Sequence, residues 1–318
     1  MGGLIMNEWI KVFSRIGTLV MIGLIILFVM GFAGLQKYIV SVSPETANTE
    51  WKQEMEMQLA SNRSDLEKFG DINSNMKAAY EREIAIKEYR LEHNLPPSTE
   101  VNMWSFVEKA QDIISFAGLF TIIIAAGTVA SEFSWGTIKL LLVRPISRSK
   151  ILLSKYITIL LYGVLFLSII FILSAIMGFF FFGTPTEHIA HLAYVNGEVV
   201  ERNIVFHLIG QYLLSSIDIL LVATMAFMIS AVFRNGSLAI GLSLFLLFTG
   251  EAVTMLLAGE FSWIKYFLFA NTNLNVYFDG VPPLEGMTLE FSIIMLVIYF
   301  AVFHLLAFWV FNKRDVAA

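Results

Sequence analysis

SEFSWGTIKLLLVRPISRSK, Ser131 to Lys150, separates two long apolar runs. It holds an acid, Glu132, a small pair, Gly136-Thr137, a short apolar segment, a proline and the cations Lys139, Arg144, Arg148 and Lys150. The spacing from Trp135 to Val143 predicts about two helical turns. Ile138, Leu141 and Leu142 lie on the apolar side, and Lys139 and Arg144 supply charge. Pro145 stops the helix because it has no amide hydrogen and its ring crowds the preceding turn. Ser147 stands where a cap for the next helix is expected. Glu132, at the end of the preceding apolar run, is expected to pair with Arg144, Arg148 or the basic end of a neighbouring helix. Two readings fit this spacing equally: a rigid amphipathic element that fits a groove on a soluble partner, and an ordinary basic loop between two spans.

The flanking runs decide the fold class. The 318-residue chain is 57% hydrophobic and 15% charged, with a mean hydropathy of +0.72. A soluble domain is nearer 45–50% apolar and about 25% charged. Apolar runs of about 20 residues, long enough to cross a bilayer as helices, recur along the sequence. The expectation is an all-α integral membrane protein with six spans at residues 18–40, 104–130, 151–182, 205–233, 238–258 and 291–311.

Ahead of the first span, residues 5–17 read as an amphipathic interface helix. Ile5, Trp9, Val12, Phe13 and Ile16 share one face, and Glu8, Lys11 and Arg15 lie off it, with Trp9 at headgroup level and the cations in water. No cleavage motif follows the first apolar run, so no cleavable signal peptide is expected. Residues 43–100 form a charged insertion, with acidic residues outnumbering basic ones. Ser43-Pro44-Glu45 has the pattern of a helix start. Met55, Leu59, Leu66 and Phe69 keep helical spacing, Gly70-Asp71 interrupts it, and Ile72, Met76, Tyr80 and Ile84 resume it. A helical hairpin outside the membrane is expected, the alternative being a weakly ordered solvated linker. Tyr194 to Val199 reads as a small β-hairpin around Asn196-Gly197. Residues 259–290 are aromatic and irregular, suited to the membrane boundary or a re-entrant segment.

Lys and Arg placement orients the chain. Lys11, Arg15, Lys139, Arg144, Arg148, Lys150, Lys155, Arg234, Lys313 and Arg314 fall on one side when there are six spans. That side is expected to be cytoplasmic, with both termini on it. Composition argues against covalent chemistry in the chain itself: it has no cysteine and no Gly-x-x-x-x-Gly-Lys-Ser/Thr loop. No Ser/His/Asp arrangement is readable, so the chain is not expected to be an enzyme by itself. Its few dispersed basic residues and pI near 5.6 give no reason to expect nucleic-acid binding. His188 and His191 could share a helical face, but two ligands without a third make a weak metal signal, and no metal site is assigned. Gln211, Ser215 and Asp218, spaced four and three apart, form a polar stripe in the fourth span. Glu251 lies in the fifth. These four read either as the lining of a substrate path or as interhelical packing sites, the latter favoured.

Glu132, Gly136-Thr137, Leu140-Leu141-Leu142, Arg144-Pro145, Ser147-Arg148 and Ile151-Leu152-Leu153 with Lys155 resemble the pattern of ABC-2-type transporter permeases, transmembrane subunits of bacterial ABC exporters. Asn7-Glu8 with Lys11 and Arg15, Thr272-Asn273-Leu274, Pro282-Pro283, Gly286-Met287-Thr288 and the terminal Phe311-Asn312-Lys313-Arg314-Asp315 extend the resemblance, which is closest to Firmicute members. It implies a plasma-membrane complex of two permeases, identical or related, joined to two cytosolic ATPases that bind ATP and Mg. The chain itself would hold no cofactor. The ATPase-contacting coupling element would comprise Glu132, Trp135, Gly136, Thr137, Ile138, Lys139, Leu141, Leu142, Arg144 and Arg148. The interface helix would use Glu8, Trp9, Lys11 and Arg15. Substrates in this family include peptide antibiotics, lipids, polysaccharides and ions, which links it to antibiotic resistance; an amphipathic peptide would suit the apolar spans and acidic insertion. The alternatives are a non-transporting membrane sensor or scaffold of an antibiotic response, and an ATP-independent secondary transporter.

Overall fold

The computed structural model describes residues 1–42, 50–70, 74–97, 101–142, 145–184, 190–195 and 197–313, with the side chains of residues 141 and 142 left aside. Six helical segments have the length and apolarity to cross a membrane. Helix α1, Gly2–Phe13, is followed by α2, Ile16–Val42, the first span. Outside the bundle, α3, Trp51–Phe69, and α4, Ser74–Glu92, make an antiparallel pair. The second span is α5, Met103–Lys109, a 3-10 turn over Ala110–Ile113, and α6, Ile114–Ser134. The short α7, Ile138–Leu142, leads to α8, Arg148–Phe182, the third span. Strands β1, Ala190–Val195, and β2, Glu198–Asn203, precede α9, Ile204–Phe233, and α10, Gly236–Ala258. Two 3-10 turns, Ser262–Tyr266 and Leu274–Tyr277, flank α11, Leu268–Asn271, and α12, Leu289–Lys313, is the last span.

The centre of the bundle is the pair α6 and α9. In lipid, apolar surfaces gain little by leaving one hydrocarbon for another, so small residues and interhelical hydrogen bonds decide which faces meet. Ala117, Ala125 and Ala126 of α6 and Ala223 and Ala226 of α9 are fully buried. The Ser230 hydroxyl donates to the Ala126 carbonyl at 2.5 Å and accepts from the Ala130 amide at 2.9 Å. Tyr156 of α8 shares a hydrogen bond with Thr224 of α9 at 2.8 Å. Spans α2, α10 and α12 surround this centre, and Leu27, Phe248, Leu256 and Leu305 project outward, as lipid-facing side chains do. The outer end of α8 needs Gly178: an added Cβ there would come within 2.9 Å of the Met103 carbonyl oxygen. The Met103 amide donates to the Gly183 carbonyl at 3.0 Å, and Lys37 of α2 donates to the Phe181 carbonyl at 2.9 Å.

All six expected spans are present, each within about four residues of its expected limits. The insertion is a docked helical hairpin and not a solvated linker. Met55 and Leu59 are buried in it, while Phe69 remains exposed and α4 has no fully buried residue. Arg63 pairs with Glu88 at 2.6 Å across the two helices. Arg82 donates to the carbonyls of Asp279 and Gly280, each at 3.1 Å, and Asn75 to the Leu284 carbonyl at 2.6 Å. The β-hairpin forms in the register Val195 opposite Glu198 and Tyr194 opposite Val199, with Gly197 at φ 91°. Among the described residues the fold is therefore mostly helical, with a single two-stranded sheet beside the all-α expectation. The expected helix start at Ser43-Pro44-Glu45 and residues Asp71, Ile72, Asn196, Arg144, Arg314 and Asp315 lie outside the described residues.

Candidate functional site: a buried ion network at the charged end

The chain's positively charged ends gather at one end of the bundle. Arg148 donates to the Asn312 carbonyl at 3.3 Å, and Asn312 donates to Ser149 at 2.9 Å. The Arg234 guanidinium lies 4.4 Å from the Phe133 ring, and Arg15 lies 5.1 Å from Trp135.

Beneath this surface lies a four-ion network. Lys155, in the second turn of α8, is 1% exposed, and its Nζ donates to Glu8 Oε2 and Glu132 Oε1, each at 2.9 Å. Glu132 is fully buried and also accepts from Lys11 and from the Thr137 hydroxyl. Two acids meet two cations, so the buried charge is balanced. Glu8 and Lys11 are three residues apart on α1 and so share a face. Glu132 stands in the last turn of α6, at the negative end of the helix dipole, where an anion needs compensation from cations. Buried ions of this kind are strongly destabilising if one partner is lost. The network thus fixes α1 to α6 and α8. The Tyr162 hydroxyl adds a bond to the Trp9 carbonyl at 3.0 Å, with the two rings stacked 4.4 Å apart.

This corrects several expectations. Glu8, off the apolar face, is only 5% exposed and faces Lys155 on the inner side of α1. Phe13 and Ile16, expected on the apolar face that meets the membrane interface, are exposed on the protein surface. Helix α1 ends at Phe13, before the 5–17 range closes. Of the partners expected for Glu132, the basic ends of neighbouring helices supply the cations, Lys155 from the start of α8 and Lys11 from α1, while Arg148 turns to the end of α12. Ser147 occupies the cap position of α8 without a side-chain capping bond. The helix after Trp135 is one turn, not two, because Gly136 has φ 71°, a left-handed conformation that a helix cannot absorb. Ile138 is 3% exposed and belongs to the protein's own core. Among the described residues, Trp135, Lys139 and Leu140 are exposed side chains of this segment, and Leu140 was not among the expected contact residues.

The polar stripe of α9 belongs to the opposite end. Gln211 accepts from Gln111 and donates to Asp279 Oδ2 at 2.9 Å. Ser215 accepts from Asn275 at 3.1 Å. Asp218 faces Thr272, with Glu251 nearby. Glu251 itself is exposed on α10. Gln211 and Ser215 thus bond to the second span and to the segment around the Leu274–Tyr277 turn. Around Asp279 the structure also gathers His191 and His207, a grouping the sequence reading missed, since it paired His191 with His188, which lies outside the described residues. Burial would raise the Asp279 pKa, but the neighbouring His191 and Gln211 side chains and the His207 charge outweigh it and hold the carboxyl below its usual range.

Six apolar spans, a charge-balanced network at one end and a docked polar cap at the other define a multi-pass helical membrane protein. Residues 75–317 match the family described as "Protein of unknown function (DUF2705)", and the chain belongs to that family. It is 50% identical over 316 residues to the "Uncharacterized protein YhcI" of Bacillus subtilis (strain 168), covering 99% of each chain. It is 31% identical over 220 residues to the "Uncharacterized membrane protein YdbK" of the same organism, covering 69% of this chain and 85% of the relative.

Proposed function

We propose that this chain is the permease subunit of an ATP-driven exporter of the ABC-2 class. In this reading it sits in the bacterial plasma membrane with both termini in the cytoplasm. It works with a second permease copy or a related chain and with two cytosolic ATPases that bind ATP and Mg, and it moves an amphipathic substrate such as an antimicrobial peptide outward.

One observation carries the reading. The Glu8–Lys155–Glu132–Lys11 network locks α1 and the segment after α6 to the start of α8. Force applied to the exposed Trp135, Lys139 and Leu140 therefore passes into three helices together. An ATPase can shift the permease between states only through contacts that differ between those states, and a rigidly anchored surface element supplies such contacts.

The test is whether a phosphate-loop ATPase is encoded beside this chain and co-purifies with it, followed by ATP-dependent transport in vesicles. Leu140→Glu combined with Trp135→Ala should leave membrane insertion intact, reduce ATPase retention at least tenfold and abolish coupled transport. Unchanged retention and transport in that variant would remove the docking role. Charged substitution of Ile138 is a poor probe, because it disrupts the protein's own core.

A further inference from the structure

We propose that His191, His207 and Asp279 form a binding site for a divalent transition-metal ion of the zinc type, at the end of the bundle opposite the ion network. The three residues come from β1, the first turn of α9 and the loop after the Leu274–Tyr277 turn. Their donor atoms all lie within 4.8 Å of one another.

The geometry is that of ligands around an ion and not of hydrogen-bonded side chains. His191 Nε2 is 3.4 Å from Asp279 Oδ1, and His207 Nε2 is 3.6 Å from Oδ2. An N–H···O bond is usually about 2.9–3.0 Å. A tetrahedral ion with bonds of about 2.0–2.1 Å sets its ligand atoms roughly 3.3–3.4 Å apart. Both Nε2 atoms are buried without a hydrogen-bond partner. The His207 side chain is only 8% exposed, so its bare nitrogen is cut off from bulk water. Leaving such an atom unpaired forfeits its hydration, and a cation between the two imidazoles and the carboxylate satisfies both nitrogens. The two rings stack with centroids 3.5 Å apart, which sets both imidazoles side by side against the carboxylate.

The outer shell is built as well. Gln211 donates to Asp279 Oδ2, and Gln111 donates to Gln211, so a chain of amides from the second and fourth spans orients the carboxylate. Arg82 of α4 holds the Asp279 carbonyl. With two nitrogens, one carboxylate and no cysteine in the sequence, the donor set is borderline in softness and suits Zn(II), Co(II) or Ni(II) over Ca(II) or Mg(II). A fourth position opens toward a cavity of about 650 Å³ lined by Arg202, Phe206, Leu213 and Tyr277. Three protein ligands and one open side make an ion that can exchange or accept a further ligand. The site does not depend on the transport reading.

The test uses the full chain in detergent, chelator-treated and free of any purification histidine tag, titrated with Zn(II) and Co(II). One equivalent should bind per chain, and the Co(II) complex should show a tetrahedral visible spectrum without a thiolate band. Asp279→Asn and His207→Ala should weaken binding at least tenfold, Gln211→Ala by about 10–100-fold, and His93→Ala not at all. If folded wild-type protein retains less than a tenth of an equivalent, the proposal fails, whatever the variants do. It also fails if the His191→Ala/His207→Ala double variant binds as wild type does, or if the cluster responds to protons alone.

Discussion

Replacing Lys155 by Met keeps the length of the side chain and removes its charge. At 2.9 Å and an effective dielectric constant of about 20, each of its two contacts represents roughly 6 kcal/mol of gross attraction. Desolvation of the ions offsets most of that, so the measured loss is the penalty of the carboxylates left behind, about 3–5 kcal/mol for a buried pair. Glu132 keeps Lys11 and Thr137, whereas Glu8 loses the cation it faces. The loss therefore falls near 3 kcal/mol, more than a hundredfold in the folded-to-unfolded ratio. Adding Glu8→Gln to Lys155→Met removes the orphaned charge and should recover about 2 kcal/mol of it. Denaturant unfolding in detergent, followed by tryptophan fluorescence, is the assay, and Trp9, stacked on Tyr162, reports locally. A Lys155→Met protein within about 0.5 kcal/mol of the parent, or a double variant no better than the single one, would refute a network held by Lys155.

Two further perturbations test other parts of the fold. Arg82→Ala removes the bonds from α4 to the carbonyls of Phe278, Asp279 and Gly280, and limited proteolysis should cut the α3–α4 hairpin several times faster while the spans stay protected. Gly136→Val places a β-branched residue at φ 71°, costing about 1–3 kcal/mol. Faster amide exchange over residues 135–142 should accompany it, and unchanged exchange would show that the turn is not required.

The spans were legible because hydrocarbon demands long apolar helices, and that demand is written locally. The hairpins were legible too, one through the interruption at Gly70 and one through Asn196-Gly197. Glu8 was not. Reading α1 as an isolated amphipathic helix puts Glu8 off the apolar face without a partner, and only the approach of Lys155, 147 residues away, gives it one. For Glu132 the sequence narrows the cation to the following loop or the basic end of a neighbouring helix, and the structure selects Lys155 of α8 and Lys11 of α1. The His191–His207–Asp279 cluster was hidden for a different reason. A helical reading paired His191 with His188, while the chain forms a strand there and takes its other two donors from α9 and a distant loop. No short spacing encodes that meeting.

Helix α8 has 35 residues, so it runs about 52 Å, well beyond the roughly 30 Å hydrocarbon core. Lys155 clamps it near one end, and Met103 and Lys37 hold it at the other. It behaves as a lever with a fastening at each tip. Pivoting it by about 10° at the charged end would carry the far tip through roughly 9 Å, a stroke that α5 and α2 must either follow or resist.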